Sequence, residues 1–190
     1  MRFLFIRHGE TDWNRQGRMQ GRVDIPLNQT GIQQAFAAAA MLKPYQIKKI
    51  VTSPQVRAKQ TAKIISRAFG AAVHLEPKLR ERSFGDYEGL APDNLPRVPV
   101  DPNAPDGPFD YPQGKVEPFR EVSERTKSAV ERWLAKHDDA KEGVLLFVAH
   151  GGVFSALHHA LGCGSYFRIK NATPYEFTRQ PDGKWTCQPV

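Results

Sequence analysis

RFLFIRHGETDWN, residues 2–14, is the stretch whose reading decides the fold. Phe3, Leu4, Phe5 and Ile6 make a short continuous apolar run, the pattern of a buried strand. The run stops at Arg7-His8-Gly9, a fixed cation and a titratable ring followed by a residue that permits unusual backbone angles. A buried strand ending in this way delivers a cation and a nucleophile or base to a sheet edge. In open α/β sheets that edge is where ligands bind. Taken alone, Arg7 and His8 could equally well finish a strand at the surface, so the rest of the chain has to decide.

Three further strands are expected on either side of helical patterns. Residues 48–52 (KKIVT) form the second, 72–75 the third and 144–149 (VLLFVA) the fourth, again a continuous apolar run. Between the first and second, 11–26 reads as a loop and LNQTGIQQAFAAAAML (27–42) as an alanine-rich helix capped by Asn28 or Thr30. Ser53-Pro54 reads as an N-cap with proline at the first helical position. That helix runs to about Phe69, with Thr61, Ile64, Ile65 and Ala68 on one face and Gly70 closing it. A helix from Phe119 buries Val122, Thr126, Ala129, Val130, Trp133 and Leu134, and another follows His150 carrying Val153, Leu157, Ala160 and Leu161. The tail TPYEFTRQPDGKWTCQ (173–188) reads as two strands around a Pro-Asp-Gly turn. Alternating strands and helices predict one α/β domain over 1–190, with a mainly parallel sheet covered by helices on both faces.

Residues 92–118 break the pattern, since eight of the fifteen prolines fall there. Regular structure is not expected in such a segment, and a loop of this length serves either as a lid or binding segment or as a tolerated surface insertion.

Composition narrows the class. The hydrophobic fraction of 40% and charged fraction of 25% suit an ordinary globular protein, and 190 residues suffice for one sizeable core. No apolar run approaches the roughly 18 residues of a membrane span. The chain enters its first strand at once, so a secretory signal would be expected to form part of the fold. Cys163 and Cys187 show neither metal-ligand spacing nor a disulfide framework and read as inert thiols of a reducing cytoplasm, with a single bridge between them the alternative. The net charge of +7 is spread along the chain with no basic run interleaved with aromatics, which argues against nucleic acid and suits small anionic substrates.

The residues standing just after each strand carry the chemistry. They are Arg7-His8 after the first, Arg57 early in the helix after the second, Glu81 between Arg80 and Arg82 after the third, and His150-Gly151-Gly152 after the fourth. A mainly parallel sheet would bring them to one edge beside exposed helix N-termini, where backbone N–H groups attract anions. Metal binding would call for several His, Asp or Glu ligands rather than two arginines. No G-x-S-x-G elbow and no P-loop is present. Phosphoryl transfer fits: arginines hold phosphate oxygens bidentately, nearby cations keep His8 neutral and nucleophilic, and Glu81 can protonate a leaving oxygen.

RHGETDWN (7–14), GRVDIPLNQTG (21–31), SPQVRAKQTA (53–62), LRERSFGDYEG (79–89) and VAHGG (148–152) together resemble the successive signatures of the histidine phosphatase superfamily, the phosphoglycerate mutase-like proteins. RHG alone is weak, whereas five blocks in order are specific. The resemblance implies a three-layer α/β/α sandwich with a mixed sheet, and neither metal nor other cofactor. It further implies that His8 is transiently phosphorylated, that Arg7, Arg57, His150 and Gly151 complete the phosphate pocket, that Asn14, Gln20 and Gly21 line the substrate site and that Glu81 is the proton donor. Glu10 and Thr11 are expected to orient the loop, Asp86 or Glu88 to assist as acid at most, and His74, His137, His158 and His159 to be surface or packing residues.

The segment after the acid block is short and brings only Arg97 and Lys115 as cations, while family mutases carry a longer insertion there with paired arginines. The expectation is therefore a phosphatase acting on a small phosphorylated metabolite. The alternatives are a mutase and a phosphate-binding regulator without turnover. Sugar phosphates, phosphoglycerates, nucleotide-derived phosphates and ribazole phosphate all fit. Trp13, Phe84, Tyr87, Phe109 and Tyr111 are candidates for an apolar rim.

Overall fold

The computed structural model describes residues 1–95, 115–138, 141, 143–165 and 167–190. In chain order its main elements are β1 (Arg2–Arg7), α1 (Asp12–Arg15), α2 (Gln29–Met41), β2 (Lys49–Thr52), α3 (Val56–Phe69), β3 (Ala72–Leu75), α4 (Phe119–Ala135), β4 (Leu145–Ala149), α5 (Gly151–Ala160), β5 (Pro174–Arg179) and β6 (Trp185–Pro189). The six strands form one mixed sheet in the order β3-β2-β4-β1-β5-β6. β1, β2, β3 and β4 run parallel, with Phe5 opposite Phe147 and Arg7 opposite Ala149. β5 pairs antiparallel to β1, and β6 antiparallel to β5.

β1 and β4 are central strands, which explains their unbroken apolar runs: both faces of each are covered. Alternate residues enter two cores. Phe3, Phe5 and Phe147 pack with Val130, Leu134, Phe154 and Leu157 of α4 and α5. Leu4, Ile6, Leu146 and Val148 pack with Ala38 of α2 and Ala58, Ala62 and Ile65 of α3. The protein is thus a three-layer α/β/α sandwich, as expected. β3, at the sheet edge, is largely exposed.

Several local expectations change. The stretch 11–26 is not all loop, because Thr11 caps α1. Its hydroxyl accepts the Asn14 amide at 3.1 Å while Asn14 Oδ1 accepts the Thr11 amide at 3.2 Å, so asparagine fills the reciprocal position of a capping box. Asn28 caps α2 as anticipated. Ser53-Pro54 does not start α3; Gln55 is its N-cap, without a side-chain cap bond, and the helix begins at Val56. Ser53 is instead drawn inward by His150. The buried face of α3 comprises Arg57, Ala58, Thr61, Ala62 and Ile65, while Ile64 is half-buried and Ala68 exposed. Gly70 closes the helix at φ 63°. In the Pro-rich segment, Pro92–Asn94 makes one 3-10 turn. Residues 96–114 lie outside the described residues, and with them Arg97, Phe109 and Tyr111. No helix among the described residues is long and apolar enough to cross a membrane.

Candidate active site

All four parallel strands point their carboxyl ends at one edge, and a cavity of about 500 Å³ opens there. Arg7, His8, Asn14, Gln20, Gly21, Arg57, Glu81 and Gly151 all line it. The parallel register is the reason: Arg7 of β1 sits opposite Ala149 of β4, so the residues that follow each strand emerge side by side.

His8 is 2% exposed, and its neighbours dictate its tautomer. Nδ1 lies 2.7 Å from the Gly9 carbonyl, which can only accept, so Nδ1 carries the proton. Arg57 Nε lies 3.2 Å from Nε2 and can only donate, so Nε2 presents its lone pair. Burial, then the charges of Arg57 and Arg7, push the His8 pKa well below its ordinary 6.5, against the opposing pull of the Gly9 bond. His8 is therefore a neutral imidazole whose lone pair accepts from the Arg57 guanidinium.

Gly9 is required by a close approach. A Cβ there would stand 2.3 Å from the Gly31 carbonyl oxygen, and one on Gly31 2.1 Å from the Glu10 oxygen. The loop after β1 thus lies flat on the first turn of α2. Thr61 of α3 fixes it from the other side by accepting the Gly9 amide at 3.1 Å.

Arg57 is fully buried and donates to the carbonyls of Gly21 and Val23, each at 2.8 Å. The loop carrying Gln20 and Gly21 is thereby strapped to α3. Burial lowers the Arg57 pKa, with Glu81 foremost among the charges opposing that shift. Gln20 accepts from Thr11 Oγ1 at 3.0 Å. Glu81 is 8% exposed, and its two carboxylate oxygens accept the amides of Arg82 (2.8 Å) and Gly152 (3.2 Å). A Cβ on Gly152 would stand 2.5 Å from Glu81 Oε1, so a side chain there would push the Glu81 carboxylate from its place.

His150 is fully buried and does not itself line the cavity; its ring centroid is 5.3 Å from that of His8. Nε2 lies 2.8 Å from Ser53 Oγ, and Nδ1 is buried without a partner among the described residues. Burial first, then Arg57, His8 and Arg7, lower its pKa well below 6.5.

The other carboxylates separate from Glu81. Glu88 accepts the amides of Arg22 and Phe84, each at 3.0 Å, and so serves the loop around Gly21; neither it nor Asp86 lines the cavity. Of the expected aromatic rim only Phe84 reaches the cavity among the described residues, joined by Met19, Leu95 and Ile169. Trp13 packs against Gly89 instead. The remaining histidines pack elsewhere, His74 on Trp133, His158 between Phe154 and Phe167, His159 against Phe119, and His137 at the Gly143 carbonyl. Lys115 is absent from the cavity wall.

Sequence reasoning missed the residues that build the site from behind. Asn171 Nδ2 donates to the His8 carbonyl at 2.9 Å, the Ala172 amide to the Arg7 carbonyl at 2.9 Å, and Arg7 Nη1 to the Ile169 carbonyl at 3.2 Å. Gln55 joins the Gly21 loop to the acid, and Arg18 and Arg168 add two cations to the cavity wall. No motif marks Asn171 or Arg168. Among the described residues no group of three or more His, Cys, Asp or Glu side chains is placed to hold a metal.

Fold and site together define an α/β protein with a cationic, histidine-bearing pocket at the carboxyl edge of its sheet. The chain belongs to the histidine phosphatase superfamily (branch 1), which it matches over residues 3–188. It is 35% identical over 160 residues to the uncharacterized phosphatase PhoE of Bacillus subtilis, covering 80% of this chain and 72% of that one. It is 36% identical over 169 residues to the probable phosphoglycerate mutase GpmB of Cronobacter sakazakii, covering 86% and 72%. A mycobacterial glucosyl-3-phosphoglycerate phosphatase solved with VO3 superposes with a TM-score of 0.81 at 29% identity, over 99% of this chain and 96% of that one.

Proposed function

We propose that the protein hydrolyses small-molecule phosphomonoesters through a phosphohistidine on His8, without a metal ion. The observation that carries this reading is the forced Nε2 lone pair of a buried, neutral His8 beside Arg57 and Arg7. In the first step Nε2 attacks phosphorus, the P–O ester bond breaks, and the departing oxygen takes a proton from the Glu81 carboxyl group. In the second, water attacks the phosphorus, Glu81 takes the water proton, the N–P bond breaks and inorganic phosphate leaves. Arg7 and Arg57 neutralise the phosphoryl oxygens throughout, and the N-terminus of α5 adds favourable backbone dipoles.

Discharge to water rather than to a second position of the substrate is favoured by the segment after the acid block. Its one described cation, Lys115, stays off the cavity wall. Cys163 and Cys187 are free thiols with pKa values pushed up by burial to about 11 and about 12, which suits inert residues of a reducing cytoplasm.

The test is His8→Ala. Turnover of para-nitrophenyl phosphate should fall by more than about 10³-fold with the thermal unfolding midpoint kept within a few degrees. Wild type quenched during turnover should carry acid-labile phosphate, the variant none. Substantial residual turnover by the variant would refute the covalent route. Isomerisation of 3-phosphoglycerate, assayed alongside, should be undetectable.

A further inference from the structure

Asn171 reaches the site from a loop 163 residues beyond the nucleophile, and backbone groups dictate which way its amide faces. Its Nδ2 lies 2.9 Å from the His8 carbonyl, which can only accept, so nitrogen has to be the atom placed there. An amide nitrogen carries two hydrogens, and the second meets Asn14 Oδ1 at 3.4 Å. Asn14 is oriented independently, because the Thr11 amide, which can only donate, lies 3.2 Å from the same Oδ1. The oxygen of Asn14 is thus engaged from behind by Thr11 and Asn171. Its Nδ2 makes no hydrogen bond among the described residues and is the end left for the cavity that Asn14 lines.

The other bond acts on the nucleophile. The peptide joining His8 to Gly9 has its oxygen held by Asn171 and its N–H by Thr61 Oγ1 at 3.1 Å. On the strand side, His8 N donates to the Ala149 carbonyl of β4 at 2.9 Å. The backbone of His8 is therefore fixed on both sides, and the Gly9 carbonyl just beyond it is the group that keeps the proton on Nδ1. The Asn171 loop has other attachments: Ala172 N donates to Arg7 O at 2.9 Å, and Arg7 Nη1 to Ile169 O at 3.2 Å. Losing the Asn171 amide would leave the loop in place and release what the amide orients.

Building on the phosphatase reading, we infer that Asn171 is a positioning residue of the reaction. Its two N–H groups align the peptide behind the nucleophile and turn Asn14 so that the donor end of that amide faces the phosphoryl group. An amide suits this place: a carboxylate would set lone pairs against two oxygens, and an alkyl group would leave both without this donor.

Orthovanadate binding tests the inference apart from turnover. Asn171→Leu should weaken vanadate binding and lower kcat on para-nitrophenyl phosphate, each by about 10–10²-fold. Its thermal unfolding midpoint should stay within a few degrees of wild type, since the other two bonds of the loop remain. Thr173→Val removes a hydroxyl that bonds the Asn171 carbonyl at 3.4 Å and should leave both values unchanged. In an Asn14→Ala background, the vanadate loss caused by Asn171→Leu should shrink at least about 3-fold, because one of its two contacts is already gone. Asn171→Asp keeps the shape, carries the test even where Asn171→Leu lowers stability, and gives a readout that a merely loosened loop would not move. Between about pH 8 and about pH 5 its carboxyl group takes up a proton and regains a donor, so its kcat relative to wild type should rise. Wild-type vanadate affinity in Asn171→Leu would overturn the inference. So would an undiminished loss in the Asn14→Ala background, an equal loss in Thr173→Val, or a pH-independent ratio for Asn171→Asp. Asn171-dependent vanadate binding without phosphate release by the wild type would keep the positioning role in the anion pocket and remove the hydrolase reading. Release with Asn171-independent vanadate binding would do the reverse.

Discussion

Gln55 Oε1 accepts the Glu81 amide at 2.7 Å, while its Nε2 donates to the Gly21 carbonyl at 3.1 Å. One buried amide side chain thus ties the segment bearing the proposed acid to the loop that walls the substrate site. Arg57 donates to the same Gly21 carbonyl at 2.8 Å, so the loop, Glu81 and Arg57 form one connected unit. Gln55→Leu keeps the size but strands the Glu81 amide without an acceptor. The unfolding free energy should drop by about 1–3 kcal/mol. Since Gln55 positions Glu81, kcat on glycerol phosphate should fall more than kcat on para-nitrophenyl phosphate. A loss equal on both substrates would reduce Gln55 to a structural role.

Glu81→Gln isolates the proton transfer. An alkyl alcohol needs a proton as it leaves and an electron-poor phenol hardly does, so the variant should lose about 10²–10⁴-fold on glycerol phosphate and far less on para-nitrophenyl phosphate. Asp86→Asn should leave both rates nearly unchanged. Glu88→Gln should weaken both alike, because Glu88 holds the Arg22 and Phe84 amides rather than facing the cavity. A leaving-group-dependent loss in Glu88→Gln, absent in Glu81→Gln, would move the acid to Glu88.

The two buried histidines set an acid limit on stability. Both pKa values are lowered in the folded state, so the unfolded chain binds more protons below about pH 6.5. Stability is therefore expected to be full at neutral pH and to fall as pH drops below that point, with each histidine adding up to about 1.4 kcal/mol per pH unit. Burial pushes the Glu76 and Glu117 pKa values up, but hydrogen bonds and arginine charges outweigh it and hold both down, so they should add a further loss only below about pH 4.5. Denaturant melts of wild type and His8→Gln between pH 7 and 5 check this. The variant should show the shallower slope, and an identical slope would mean that His8 is not buried as a neutral ring.

Chelation tests the charge assignment. With Arg7, Arg57 and the N-terminus of α5 supplying the positive field, prolonged EDTA treatment should change the para-nitrophenyl phosphate rate by less than about 2-fold. Loss of activity with recovery on adding Mg²⁺ or Zn²⁺ would transfer that role to an ion.

The sequence by itself determined the strand–helix alternation and the five residues proposed for the chemistry. The reason is geometric: parallel strands bring their carboxyl ends to one edge, so Arg7-His8, Arg57, Glu81 and His150 had to converge once the strands were recognised. Unbroken apolar runs such as Phe3–Leu4–Phe5–Ile6 likewise announced strands covered on both faces. Only the tertiary structure decided which polar side chains serve those five. Ser53 reads locally as a helix cap, yet the buried His150 ring claims its hydroxyl across 97 residues of chain. The sequence left Glu88 as a possible assistant to Glu81, and the fold removes it from the cavity by giving its carboxylate to the Arg22 and Phe84 amides. Asn171 carries no local signal at all, because its role arises from closure of its loop onto the Arg7 and His8 backbone. Side-chain direction and long-range hydrogen bonding depend on how the layers pack, and no periodicity within a short window encodes that.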